Sequence, residues 1–265
     1  MTSAPVFHAP RERLTGPTVR LDGPEGRHAA QVRRLQPRER VDLTDGAGLL
    51  ARCVVLAIAG QALDLEVVEL IEVPEPDPRI TVVQALPKGD RAETAVETMT
   101  EVGVDAIVPW AASRSITQWR GDRGEKALAK WRSTAWEAGK QARRARWPEI
   151  AGLASTSDVT KLLAAATVPV VLHESAEHSL ADLPLPETVG TGSAETGSAE
   201  VGSTEAGPRE IVLVVGPEGG ISPEELEAFA EAGAVPYRMG PTVLRTSTAG
   251  TAAAAVLLAR SGRWT

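Results

Sequence analysis

The sequence predicts a small β-rich domain followed by a larger α/β domain with a mostly parallel sheet. Three observations carry this expectation. Apolar and polar residues alternate in short runs up to position 72, three prolines interrupt residues 73–78, and short apolar strands alternate with helices thereafter. A chain of 265 residues has room for two such domains. We place them at residues 1–73 and 79–265.

The first domain is read from its turns. Val41-Asp42-Leu43-Thr44 alternates as a half-buried strand does, Asp45-Gly46 provides a turn, and Leu49 to Ile58 and Leu63 to Val68 continue in extended fashion. The one helix expected here lies around His28 to Leu35. Short strands of this kind suit a small β-barrel. In Val73-Pro74-Glu75-Pro76-Asp77-Pro78 a proline stands at every second position. Proline lacks an N–H and fixes φ, so the segment reads as a stiff linker.

In the second domain, strands are expected at Ile80 to Leu86, Ala106 to Trp110, Val168 to Leu172, Ile211 to Val215 and Val235 to Met239. Helices are expected at Arg91 to Val102, Gly124 to Arg144, Pro223 to Ala232 (with Ser222 as N-cap and Pro223 at the first helical position) and Thr248 to Arg260. Buried apolar strands interleaved with helices favour a parallel sheet covered on both faces. Residues 187–207 break the pattern, repeating a Gly-Ser-x-Glu unit three times with almost no apolar content. Such a stretch cannot bury enough surface to fold, so a flexible insert is expected there.

Composition narrows the function classes. A content of 43% hydrophobic and 24% charged residues is that of a folded soluble chain. No apolar run reaches the roughly 20 residues that span a bilayer, and MTSAPVFHAP has neither a basic nor an apolar leader region. No membrane partner and a cytoplasmic location are therefore expected. The one cysteine, Cys53, can form no internal disulfide, and His8, His28, His173 and His178 lack metal-ligand spacing within any one helix, so no metal site is expected. The net charge of −7 is unevenly distributed. Between Arg114 and Arg146 ten Lys/Arg stand against three acids, a local +7, whereas Glu177 to Glu231 holds twelve acids and one base, a local −11. A basic field suited to nucleic acid thus survives in an acidic protein. Trp110, Trp119, Trp131, Trp136 and Trp147 lie in or beside the basic segment, and most are expected in the core.

Two motifs carry chemistry. Val214-Val215-Gly216-Pro217-Glu218-Gly219-Gly220-Ile221-Ser222-Pro223 runs from a buried strand through a glycine-rich turn into a capped helix. Glycines at such a turn let a ligand approach backbone N–H groups, although neither a GxGxxG fingerprint nor a P-loop is present. Met239-Gly240-Pro241-Thr242-Val243-Leu244-Arg245-Thr246-Ser247-Thr248 again leaves a strand through Gly-Pro and ends in hydroxyl residues that precede a helix. Both exits lie at the C-terminal ends of strands, where open α/β sheets bind ligands.

These two segments resemble the paired loops of SPOUT methyltransferases. The wording GPEGG followed by GPTVLRTST resembles bacterial 16S rRNA (uracil-N3) methyltransferases of the RsmE type. Pro87-Lys88-Gly89-Asp90-Arg91 with Glu93, Thr100-Glu101-Val102-Gly103-Val104-Asp105, Ser113-Arg114-Ser115, Lys130-Trp131, Gln141 through Arg146, and His28 through Leu35 extend the likeness to nearly the whole chain outside 187–207. Two departures stand out: Ser247 occupies a position where the family often has Glu, and Pro5-Val6 precede Phe7 where many members begin with Arg.

The resemblance implies a trefoil-knotted SPOUT domain behind a PUA-like RNA-binding barrel. It further implies methyl transfer from S-adenosyl-L-methionine to N3 of a uridine in 16S rRNA of the small ribosomal subunit, by a homodimer. Carried over residue by residue, cofactor contacts fall on Leu172, His173, Glu174, Gly216, Pro217, Glu218, Gly219, Gly220, Met239, Gly240, Pro241, Val243 and Leu244, with Thr246, Ser247 and Thr248 closing the pocket. Arg245 is the first candidate catalytic group, since a cation near the uracil oxygens favours the N3 anion. Glu218 is the second, as a hydrogen-bond acceptor or an orienter of an arginine. RNA contacts fall on Arg11, Arg33, Arg34, Lys88, Arg91, Arg114, Gln141, Arg143, Arg144 and Arg146. The Ala-rich helix from Thr248 could pack on its own core or on a partner. Another SPOUT activity, on tRNA or on ribose 2′-O, and a non-catalytic RNA-binding assembly factor remain as rival readings.

Overall fold

The computed structural model describes residues 4–89, 91–185 and 209–264. The low-complexity stretch 187–207 lies outside them. The chain divides into two compact units, one of Met1–Glu75 with Lys130–Glu149 and one of Pro76–Ala129 with Ile150–Thr265. The expected division gave residues 130–149 to the second domain, whereas here they belong to the first unit.

The first unit is built on a five-stranded sheet. Its strands are β1 (Val6–His8), β2 (Thr18–Leu21), β3 (Arg40–Thr44), β4 (Leu49–Ala59) and β5 (Ala62–Glu72), in the order β1-β3-β4-β5-β2. β1 runs parallel to β3, and the remaining pairings are antiparallel. Alternation puts Val41, Leu43, Ala51, Cys53, Val55, Leu63 and Leu65 on one face, where they form a core with Phe7 and Leu14. Each Val, Leu or Phe side chain among them contributes about 1.5–3 kcal/mol by leaving water. A short helix α1 (Arg11–Leu14) follows β1. The helix expected around His28 begins earlier, as α2 (Gly23–Arg27), because Pro24 occupies a first-turn position; it continues as a π-helical turn over His28–Val32.

The second unit carries a seven-stranded sheet. Its strands are β6 (Arg79–Ala85), β7 (Ala106–Trp110), β8 (Glu149–Ile150), β9 (Val168–Leu172), β10 (His178–Ser179), β11 (Glu210–Val215) and β12 (Val235–Arg238), in the order β10-β12-β9-β11-β6-β7-β8. The pairings β10–β12, β12–β9, β9–β11, β11–β6 and β6–β7 are all parallel. Nearly every residue of β6 and β11 is buried, as expected of central strands covered on both faces. The covering helices include α3 (Arg91–Val102), α5 (Thr156–Ala165), α6 (Pro223–Glu231) and α7 (Thr246–Arg260). The long helix α4 (Gly121–Gln141) starts three residues before the position expected, and its residues from Lys130 onward count with the first unit.

Helix α5 was not anticipated. Its signal is a capping box in which Ser155 Oγ accepts the Asp158 N–H and the Asp158 carboxylate accepts the Ser155 N–H, followed by the buried Val159 and Leu163. Helix α7 starts at Thr246 rather than Thr248. Its face of Ala249, Gly250, Ala253, Ala254, Leu257 and Leu258 is buried within this chain, against α3, β6 and β11. Of the five tryptophans in or beside the basic segment, Trp110 and Trp131 are buried, whereas Trp119, Trp136 and Trp147 are only half-buried, so fewer of them enter the core than expected. Among the described residues no helix is long and apolar enough to cross a membrane.

Candidate active site

Parallel pairing brings the C-terminal ends of β6, β7, β9, β11 and β12 to one edge of the second unit's sheet. At this edge a cavity of about 340 Å³ opens between the segments that follow β9, β11 and β12 and the first turn of α7. That volume lies in the range of small-molecule sites. Ile221, Tyr237, Met239, Leu244 and Ala249 give the walls apolar surface, while residues 216–218, Gly220, His173, Glu174 and Arg238 add polar groups.

Most of the expected cofactor residues meet here. Leu172, His173, Glu174, Gly216, Pro217, Glu218, Gly220, Met239, Gly240, Val243, Leu244 and Thr246 all line the cavity, and so does Arg245. Gly219, Pro241, Ser247 and Thr248 are not among the lining residues. Gly219 faces the turn after β7 instead, where a Cβ on it would come within 3.1 Å of the Arg114 carbonyl oxygen. Ser247 and Thr248 do not cap α7, because Arg245 occupies the cap position and its carbonyl accepts the Thr248 and Ala249 N–H groups at 2.8 and 2.9 Å. They are ordinary first-turn residues. The cavity is also lined by Val215, Ile221, Tyr237, Arg238 and Ala249, which were not expected as cofactor contacts, and by Thr242 within the expected Met239 to Leu244 stretch. Val215 and Ile221 lie inside the first motif, and Tyr237, Arg238 and Ala249 border the second by a residue or two.

The loops are tied together at this edge. The Glu218 carboxylate accepts the Lys88 N–H at 3.2 Å, joining the turn after β11 to the turn after β6. The Thr117 hydroxyl donates to the Pro87 carbonyl at 2.8 Å, and Arg114 Nη1 donates to the Gly219 carbonyl at 3.4 Å. Beneath them Gln84 is fully buried, and its amide donates to the Ala85 carbonyl at 3.0 Å and the Thr246 carbonyl at 3.4 Å, fixing the start of α7 to β6. Arg245 is exposed, and no side-chain hydrogen bond among the described residues engages its guanidinium. It is therefore open to a ligand. Among the described residues no group of three or more His, Cys, Asp or Glu is arranged to hold a metal ion.

The expected RNA contacts divide between the units. Lys88, Arg91 and Arg114 belong to the second, the other seven to the first. Arg33, Arg34, Gln141 and Arg143 are exposed on the first unit. Two further arginines there are engaged in holding the fold. Arg11 bonds the carboxylates of Asp45 and Glu72 at 3.0 and 2.7 Å, and Arg146 Nε donates to the Val73 and Pro74 carbonyls at 3.0 and 3.1 Å. Lys140, part of the basic segment, is buried between Glu25 at 2.9 Å and Glu137 at 3.2 Å. The usable positive field is thus smaller than the count of basic residues.

Comparison with known proteins decides what this edge belongs to. Residues 74–258 match the model of the RNA methyltransferase domain, and residues 21–68 match that of the RNA methyltransferase PUA domain. The ribosomal RNA small subunit methyltransferase E of Mycobacterium bovis is 43% identical over 98% of this chain and 94% of its own length. The chain belongs to this family. A Bacillus subtilis protein of the same name is 26% identical over 88% of this chain and 86% of its own. The crystal structure of a ribosomal RNA small subunit methyltransferase E from Neisseria gonorrhoeae, bound to S-adenosyl methionine, superposes with a TM-score of 0.78 over 97% of this chain and 98% of that one, at 26% identity. The architecture is accordingly that of a SPOUT RNA methyltransferase with an N-terminal PUA domain, the fold class that the paired loops led us to expect.

Proposed function

We propose that this protein transfers the methyl group of S-adenosylmethionine to N3 of a uridine in 16S rRNA of the small ribosomal subunit, acting as a cytoplasmic homodimer. The observation that carries the reading is the joining of the two Gly-Pro strand exits into one cavity, with Arg245 on its wall. The cavity suits the cofactor. Its size, its apolar surface and the Gly216, Pro217, Glu218 and Gly220 segment on its wall fit a ligand that joins a flat aromatic base to a polar tail. Leu172, Ile221, Tyr237 and Leu244 would enclose the base, and His173, Glu174 and the backbone of Gly216, Pro217, Glu218 and Gly220 would hold the polar groups. Bound S-adenosylmethionine supplies an electrophilic methyl group on its sulfonium.

The protein's own task is to present the nucleophile. Uracil N3 carries a proton at neutral pH; its release to solvent before the methyl group is accepted leaves a negative charge that spreads onto the carbonyl oxygens O2 and O4. Arg245, exposed on the cavity wall, would stabilise that charge, most strongly once the base has displaced water from the cavity mouth. Holding base and methyl donor in line removes a further part of the barrier as prepaid entropy. Glu218, which accepts the Lys88 N–H, would act by fixing the loop. Phosphate contacts from Lys88, Arg91 and Arg114 on the second unit, and from Arg33, Arg34, Gln141, Arg143 and Arg144 on the first, would position the rRNA without reading its sequence.

The test is methyl transfer from labelled S-adenosylmethionine to small subunits lacking the modification, followed by nucleoside analysis. Label in 3-methyluridine is the expected outcome. Label in another nucleoside would move the target, and neither label nor cofactor binding would overturn the enzymatic reading.

A further inference from the structure

Glu225 is only 5% exposed, yet its carboxylate is shared among three segments of the second unit. Oε2 accepts the Ser222 N–H at 3.1 Å, and Ser222 Oγ accepts the Glu225 N–H at 3.2 Å, which together make the capping box at the start of α6. A capping box needs no more than this. Oε1, however, accepts the Ser113 N–H at 2.7 Å and the Thr156 hydroxyl at 3.1 Å, so the same carboxylate holds the turn after β7 and the start of α5. Thr156 in turn accepts the Trp110 indole N–H at 3.3 Å, and Trp110 stacks edge-on against Phe229 of α6 with ring centroids 5.3 Å apart.

The consequence falls on Arg114, the residue directly after Ser113. The Ser115 N–H donates to the Ala112 carbonyl at 3.0 Å, closing a tight turn that carries Arg114 at its tip. Arg114 lies against Gly219 through both its backbone and its guanidinium. One end of this assembly is therefore Gly219, whose neighbours Glu218 and Gly220 line the cavity, and the other is an exposed arginine that can reach a phosphate. Only a carboxylate can serve all these donors. It is acceptor-only, whereas an amide of the same shape would turn an NH₂ group toward one of the donating N–H groups. Three donors and the positive end of α6 offset the cost of burying the charge.

We propose that Glu225 is a positioning residue of the methyl-transfer site, which through the Ser113 N–H fixes Arg114 against Gly219 and so sets the RNA contact relative to the cavity wall. This rests on the reading of the protein as an RNA methyltransferase. The test is a double-mutant cycle on the full chain with Glu225→Gln, Arg114→Ala and the pair. Glu225→Asp serves as a second variant, which keeps the charge at the helix start but is too short to reach Ser113. Ser222→Ala, which removes the capping hydroxyl and leaves the Ser113 contact intact, is the control for stability alone.

Glu225→Gln and Glu225→Asp are expected to lower kcat/KM for unmodified small subunits about tenfold, chiefly through KM for the subunit, and by less than about twofold when Arg114 is already alanine. Ser222→Ala is expected to lower the melting temperature and leave kcat/KM within about twofold of the parent. Additive losses in the pair, or an equal catalytic loss in Ser222→Ala, would overturn the proposal. Should the parent chain methylate nothing, the functional reading fails, and the same cycle run on RNA dissociation constants still decides whether Glu225 acts through Arg114.

Discussion

Arg245 illustrates how one residue acquires a role from its position. It ends the segment leaving β12, caps α7 with its carbonyl, and keeps its guanidinium free at the wall of the cavity. If it stabilises the developing charge on the base, Arg245→Ala should lower the single-turnover methylation rate by about 10²-fold, as loss of one such donor does elsewhere. Cofactor affinity, read by calorimetry, should change by less than about threefold. A loss of affinity as large as the loss of rate would assign Arg245 to cofactor binding instead. Cys53 is the opposite case. Burial, reinforced by nearby Asp42, pushes its thiol up to about 12. It should resist alkylation near pH 8 in the native protein and react once guanidinium unfolds it; rapid native labelling would contradict the described core.

At the scale of elements, α5 and α4 offer two tests. The Ser155 hydroxyl and N–H hold the Asp158 carboxylate at a pKa of about 2, below its ordinary 3.8. A group whose folded pKa is depressed contributes stability that is complete above the unfolded value and lost as pH falls through the folded one. The difference in melting temperature between the parent and Asp158→Asn should therefore be constant above about pH 5, shrink below about pH 4 and be lost as the pH falls through about 2. A pH-independent difference would show that the charge is not the source. In α4, Gly139 lies against Trp147, and a Cβ there would sit 2.4 Å from the indole Cδ1. Replacing a helical glycine by alanine ordinarily gains about 1 kcal/mol, but here overpacking of about 1–3 kcal/mol opposes it. Gly139→Ala should thus lower the stability measured by denaturant unfolding, and a gain would refute the packing of Trp147 on α4.

The molecule as a whole is less simply divided than its proline-rich stretch suggests. Residues 130–149 complete the first unit. His8 stacks on Trp136 and Trp147, whose ring centroids lie 4.4 and 5.5 Å away, and burial lowers its pKa so that it remains neutral at physiological pH. The Thr44 hydroxyl donates to the Ala145 carbonyl at 2.9 Å, and the buried Lys140 pairs with Glu25. A fragment cut at the linker, residues 1–75, loses all of these and leaves Glu25 and the aromatic face of His8 exposed. It should show no cooperative thermal transition by circular dichroism, and adding a peptide of residues 130–149 should restore one. Independent cooperative folding of the short fragment would show that the first unit does not need its distant segment.

What could be read from the sequence was whatever is encoded locally. Period-2 alternation in Val41–Thr44, apolar runs such as 211–215, and Ser222-Pro223 at a helix start depend on neighbours a few residues away, and each element formed where expected to within a few residues. The paired Gly-Pro loops were legible for the same reason, since a strand exit that must approach a ligand needs those residues whatever surrounds it. Tertiary structure alone decided the rest. The transfer of residues 130–149 to the first unit, the diversion of Arg11, Lys140 and Arg146 into structural pairs, the turning of Gly219 toward Arg114, and the sharing of the Glu225 carboxylate all join groups far apart in sequence. The physical reason is that a charge or a glycine carries the same local signal whether it faces solvent, a ligand or the protein's own backbone. Only packing determines which of these it meets.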